Sequence, residues 1–249
     1  MRAIGMIVLS LALASCGKAK GDSPQVEPPE DVLPPAPEPP AGPAVTDQQK
    51  EHMVEHFIQV AVLRDAVIAG DLEATRAPAT WLAEHGAPDN IPDAWIRHVT
   101  DLKVIAGEAR DADDLETAAA AVGALGRTCG NCHQSLAAEL RYELPPEPPA
   151  LGPAADHMRR HQWGAERMWD GLFIPSDDAW KLGATAFFES PLHPDGAGAD
   201  DPRRKMAKRV HLLGSSAAGL EDPIARGTLY GDLLATCAGC HQATDELDR

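Results

Sequence analysis

Apolar and polar residues recur along this chain at helical spacing. Taking Met53 as the origin of a helical wheel, Phe57, Val60 and Arg64 fall within about 40° of it at ~100° per residue, while Glu51 and Glu55 lie opposite. A hundred residues later, Ala165 and Trp169 flank Met158 on one face, and Arg160 and Arg167 oppose it. No stretch sustains the alternation of a strand. The pattern predicts eight helices. The first starts at a capping-box-like "TDQQ" (46–49) and stops at Gly70. A second ends near His85 and Gly86, with Pro78 as its kink or its true start. A third runs from Pro92 to about Gly107, and a fourth opens at Asp113 with Glu116 three residues on. The remaining four are expected near 154–172, 177–189, 202–218 and 223–247, with Ser176 and Asp222-Pro223 as start signals.

Breaks in this pattern divide the chain. Residues 16–46 are rich in proline and acids and hold almost no large apolar groups ("PQVEPPEDVLPPAPEPPAGP"), so they cannot build a core. Such a tether is extended at ~3 Å per residue. A second Pro-rich linker covers 144–153. The segments on either side, 47–143 and 154–249, look like repeats. Each opens with His-Met-x-x-His ("HMVEH" at 52–56, "HMRRH" at 157–161) and closes with Cys-x-x-Cys-His-Gln ("CGNCHQ" at 129–134, "CAGCHQ" at 237–242). Four helices with short links in each segment predict an all-α chain of two tandem four-helix bundles, each carrying CxxCH on its fourth helix.

The N-terminus changes what the cysteines can do. Arg2 precedes an apolar run from Ile4 to Ala14, the length of a signal-peptide core and short for a bilayer span. "LASC" (13–16) resembles a bacterial lipobox, which implies a signal peptide over 1–15 and lipidation of Cys16. With Gly17 next, the periplasmic face of the outer membrane is the expected location, the lipid being the only membrane contact. The other four cysteines, Cys129, Cys132, Cys237 and Cys240, all lie in the two CxxCH motifs, so none is left for a long-range disulfide. The formal charge is −16, one unit more negative without Arg2. That argues against nucleic acid and suits a basic redox partner protein.

On a helix, Cys129, Cys132 and His133 fall at i, i+3 and i+4, on one face. Covalent haem needs that arrangement: two thiols add to the two vinyl groups and the adjacent imidazole coordinates iron. A zinc site needs four ligands, and one CxxCH offers three on a single turn. A thioredoxin-type pair needs a βαβ setting and no histidine. Two covalent haem c groups are therefore expected, on Cys129, Cys132 and His133 and on Cys237, Cys240 and His241, with His133 and His241 as proximal iron ligands.

A CxxCH at the C-terminal end of a helical unit resembles class II cytochromes c, the cytochrome c′ and c-556 type, which are four-helix bundles with haem on the fourth helix. Only eight residues follow His241, which excludes the class I arrangement there. The chain departs from the family after the haem histidine, where Ser135-Leu136 and Ala243-Thr244 replace a common aromatic-basic pair. The resemblance implies a distal residue on the first helix. The wheel places Met53 and Met158 most directly inward, His56 and His161 about 60° off, and His52 and His157 at the edge. The methionines are thus the candidate sixth ligands, the alternatives being His56 and His161, or five-coordinate iron. His85, His98, His193 and His211 have no matched counterparts and read as surface or propionate-neighbouring residues; the five tryptophans read as core or haem packing. No catalytic triad, phosphate loop or carboxylate pair stands out. The functional expectation is a tethered dihaem electron carrier rather than an enzyme. Nitric oxide or carbon monoxide binding is the alternative, followed by a dihaem peroxidase and a zinc-binding module.

Overall fold

The computed structural model describes residues 45–87, 91–138, 140, 143–148, 154–189, 198 and 200–247. The expected signal peptide, Cys16 and nearly all of the tether lie outside these residues, as does His193. The described chain is all-α, with eight helices and no strand among the described residues.

Local chemistry sets the helix ends. In α1 (Asp47–Ala69) the Thr46 hydroxyl accepts from Gln49 N at 3.2 Å, and Gln49 Oε1 accepts from Thr46 N at 2.9 Å. Two of the first turn's free N–H groups are so satisfied. Gly70 ends α1 in the left-handed conformation at φ +78°, which a side chain would oppose. Asp71 caps α2 (Leu72–Glu84), and Pro78 sits inside that helix. Next come α3 (Asp93–Arg110) and α4 (Leu115–Ser135), the latter capped by Asp114, one residue beyond the expected start. α5 (Ala154–Phe173) is followed by α6 (Asp177–Glu189), whose Ala179 N donates to Ser176 Oγ at 3.2 Å. Asp201 caps α7 (Pro202–Ala217), and Asp222 accepts from Ala225 N at 2.7 Å at the start of α8 (Pro223–Leu247).

Neighbours in sequence pack in space: α1 on α2, α2 on α3 and α3 on α4, then α5 on α6, α6 on α7 and α7 on α8. α1 also meets α4, and α5 meets α8. All eight helices belong to one compact unit, because α4 packs along α8, α1 reaches α8, and α4 reaches α5. Leu63, Val67, Leu82, Leu125, Trp169, Trp180, Tyr230 and Leu233 are fully buried in a core drawn from both halves. Their polar tips are satisfied where a carbonyl is in reach: Tyr230 donates to Ala165 O at 3.0 Å and Trp180 Nε1 to Ala217 O at 2.8 Å.

Arg160 and Arg167, expected on the outer face of their helix, are buried. α5 has no solvent face there. The linker segment 143–148 lies along it, so that Arg160 Nη1 donates to Pro148 O at 3.2 Å and pairs with Glu147, and Trp163 Nε1 donates to Pro145 O at 3.2 Å. Arg167 pairs with the equally buried Asp170 at 2.9 Å. A wheel ranks positions about one axis and cannot register a segment that folds over the polar side.

Glycines permit the α4–α8 approach. A Cβ on Gly123 would fall 2.1 Å from Gly227 O and 3.0 Å from Gly231 N, both backbone atoms of the facing helix. Gly123→Ala is expected to cost ~1–3 kcal/mol in urea melts, the usual range for overpacking. Gly107→Ala, where an added Cβ meets nothing within 4 Å, is expected to be neutral or to gain up to ~1 kcal/mol from helix propensity. Equal effects of the two substitutions would show that the helices do not meet at Gly123.

Candidate functional site

Cys129, Cys132 and His133 stand in the last turns of α4. Gly126 and Gly130 bring that end of α4 against α5: a Cβ on Gly126 would lie 2.6 Å from the Trp169 ring, and one on Gly130, inside the CxxCH itself, 2.0 Å from Leu172 O. The last carbonyls of a helix have no partner within it. One of them, Phe173 O at the end of α5, lies 2.7 Å from His133 Nδ1. A carbonyl only accepts, so Nδ1 carries the proton and Nε2 keeps its lone pair free for a metal. Burial lowers the pKa of His133, which keeps the imidazole neutral.

A cavity of about 270 Å³ opens beside this motif. Met53, His56, Phe57 and Val60 of α1, Trp95 and His98 of α3, and Cys129, Cys132 and His133 of α4 line it, joined by Trp169 and Phe173 from α5. A second cavity of about 560 Å³ opens beside Cys237, Cys240 and His241 of α8. Its walls are Met158, His161 and Ala165 of α5, Met206 and Val210 of α7, and Arg64, Asp65 and Ile68 of α1. Each motif therefore shares a cavity with the first-helix Met and His that the sequence matched to it. Each cavity also borrows wall from the first helix of the other half. The motif ends are exchanged likewise: His133 is held by the end of α5, while Gln242 Nε2 donates to Gly70 O at 3.0 Å at the end of α1.

Within the first helices the burial order differs from the wheel. His56 and His161 are 5% and 7% exposed, whereas Met53 is half-buried and Met158 is 37% exposed. The cavities are open, so a side chain on a cavity wall keeps access to solvent without turning away from the core. His52, placed at the edge by the wheel, is buried as well. His98, read as peripheral, lines the first cavity and hydrogen-bonds through Nε2 with Ser135 Oγ at 2.9 Å. In the sequence Trp169 reads as core or haem packing and Arg64 falls on the Met53 face, but nothing there places Trp169, Phe173 or Arg64 on the cavity of the other half, because periodicity carries no information about which helix faces which.

His85, read as a surface or propionate-neighbouring residue, is only part-exposed. It lies against His52 and His56, and the ligand atoms of the three rings fall within 4.8 Å of one another. Burial pushes His56 down to about 3, helped by the neighbouring His52, His85 and Lys103, and burial lowers His52 in the same direction. This trio is the one cluster of three or more His, Cys, Asp or Glu with converging ligand atoms among the described residues; the CxxCH donors do not form another.

The thiols are set against redox chemistry. Burial pushes Cys129 and Cys237 up to about 12 and Cys132 up to about 11, and raises Cys240 too, whereas a reactive CxxC has a depressed thiol. In chain purified without haem, thiol alkylation at pH 8 is expected to be far slower than in urea-unfolded chain. The linkage has a definite sign: the folded pKa lies above the unfolded ~8.5, so stability present below about pH 8.5 is lost as pH rises toward 12. Rapid labelling of folded chain at pH 8 would remove this argument.

Among the described residues no helix is long and apolar enough to cross a membrane. Comparison with protein-family models, curated proteins and solved structures returned no match to this chain.

Proposed function

We propose that this chain is a dihaem c-type cytochrome of two tandem four-helix bundles, an exported, lipid-tethered electron carrier related in plan to class II cytochromes c. The observation that carries the reading is the first motif's geometry: a CxxCH on the wall of an apolar cavity, its histidine oriented by a Nδ1–H···O=C bond that leaves Nε2 free. Metal-ligating histidines are oriented in this way. The residues fit the group. Cys129, Cys132 and His133 would hold one haem and Cys237, Cys240 and His241 the other. Phe57, Val60, Trp95 and Trp169 offer the first an apolar bed. When bound, haem supplies reversible one-electron exchange at iron.

The chain's own residues do the rest. Phe173 O fixes the His133 tautomer. Trp169 lines the first cavity, and the Arg64 guanidinium, which borders the second, lies 6.0 Å from its ring. Two sites that both draw lining from α1 and α5 within one compact unit suit electron passage between them, and the acidic surface suits a basic partner. The raised thiol pKa values weigh against the redox-disulfide reading, and the CxxCH donors form no cluster of converging ligand atoms among the described residues, which weighs against zinc held by the motifs. A pyridine haemochrome assay on chain exported by a host able to attach haem c tests the proposal. A c-type spectrum is expected, and its absence would overturn the reading.

A further inference from the structure

Outside the two CxxCH motifs, the described residues hold one further concentration of metal-ligating groups. His52 and His56 stand one turn apart on α1, with ring centroids 4.3 Å apart. His85, just past the end of α2, brings its ring to 5.0 Å from His52 and 5.6 Å from His56. Trp81 stacks on His85 at 3.8 Å and 16° and fixes the plane of its ring. His52 and His56 are 7% and 5% exposed, and three of their nitrogens, His52 Nε2 and His56 Nδ1 and Nε2, are buried with no hydrogen-bond partner. Buried imidazole nitrogens are costly to leave unpaired, so three in one place call for a ligand. Glu55 Oε2 lies 3.7 Å from His85 Nε2, within ion-pair range and beyond hydrogen-bond length.

We infer that His52, His56 and His85 form a three-imidazole site for a divalent transition-metal ion, with zinc as the fitting member of that class. Neutral nitrogen donors without thiolate or a carboxylate cage select zinc, copper, nickel or iron over calcium and magnesium. Tetrahedral bonds of ~2.1 Å place ligand nitrogens roughly 3.4 Å apart. The trio lies within 4.8 Å, and His85, 28% exposed at the loop end of α2, has the freedom to close the difference. Three protein ligands leave a fourth position open. The ion would tie the end of α2 to α1 beside the first cavity.

The second half supplies an internal control. It repeats His157 and His161 on α5, but α6 ends in Phe187-Phe188-Glu189, and His161 packs on the Phe187 ring at 5.1 Å; among the described residues no third histidine completes a cluster with this pair. None of the three residues belongs to a CxxCH, so the site needs no attached haem, but it competes with the first cavity for His56.

The test is a zinc titration of the exported, chelator-treated full chain, read by calorimetry and melting temperature, with cobalt absorption reporting coordination. One tight equivalent and a raised melting temperature are expected. His85→Ala is expected to weaken that equivalent by more than the ~10–100-fold that losing an outer partner costs, while His157→Ala leaves it unchanged. His85 is part-exposed, so its substitution spares the fold, and His85→Gln checks that the loss follows the ligand. Zinc held by CxxCH thiols would survive His85→Ala. No tight equivalent, equal binding by wild type and His85→Ala, or loss in His157→Ala would each overturn the site. Haem content, measured separately by haemochrome, reports on the proposed function whatever the zinc result.

Discussion

Cys132→Ala is expected to take haem stoichiometry from two per chain to one, with the remaining haem covalent and resistant to denaturing gels. The corresponding Cys240→Ala should do the same for the other site, and the double variant should carry no more than weakly attached haem. Each site has its own pair of thiols on its own cavity, and no donor from one motif lines the cavity of the other. The losses should therefore be independent, which mass measurement of the intact chain would resolve. Haem content unchanged by either substitution would sink the assignment of the motifs. Loss of both haems from one substitution would show instead that the interlocked halves fold only together, a result that the shared core would explain but that independent attachment would not.

Met53→Ala is expected to convert the first haem from low-spin to high-spin, leaving the second as it was, and Met158→Ala to do the reverse. Both methionines line the cavity of their own CxxCH, on the helix where a sixth ligand is expected. A thioether favours ferrous iron, so its loss should also lower the potential of that site and open the iron to carbon monoxide. His56→Ala should leave the ferric spectrum of the first haem intact, since His56 is assigned to the histidine trio. A methionine-to-iron charge-transfer band in the ferric red spectrum, lost one site at a time, checks this. Low-spin iron without that band, converted by His56→Ala, would move the ligand to histidine and remove His56 from the trio. High-spin iron in the unsubstituted chain, binding carbon monoxide stoichiometrically, would favour gas binding over electron transfer.

Much of the fold was legible because its signals are local. Thr46 with Gln49, Gly70, Ser176 and Asp222 act on backbone groups a few residues away, so these helix ends can be read from their own neighbourhood. The site was legible to the same depth. CxxCH works through i, i+3 and i+4 on one turn, and the repeat pairs each motif with its own Met and His. Where partners lie far apart in sequence, reading failed. Arg160 is buried by a linker folded over its helix, and His85 meets His52 and His56 across 33 and 29 residues.

The sequence by itself determined that the chain is helical and that its two halves carry matched His-Met-x-x-His and CxxCH motifs, because helix periodicity, capping and motif spacing are properties of neighbouring residues. Only the tertiary structure decided that the halves interlock, with α5 orienting His133 and the end of α1 receiving Gln242. It also decided that three histidines converge beside the first cavity. Those facts follow from which helix faces which, and that choice is made by packing: Gly123, Gly126 and Gly130 admit a neighbouring backbone or ring where any side chain would collide.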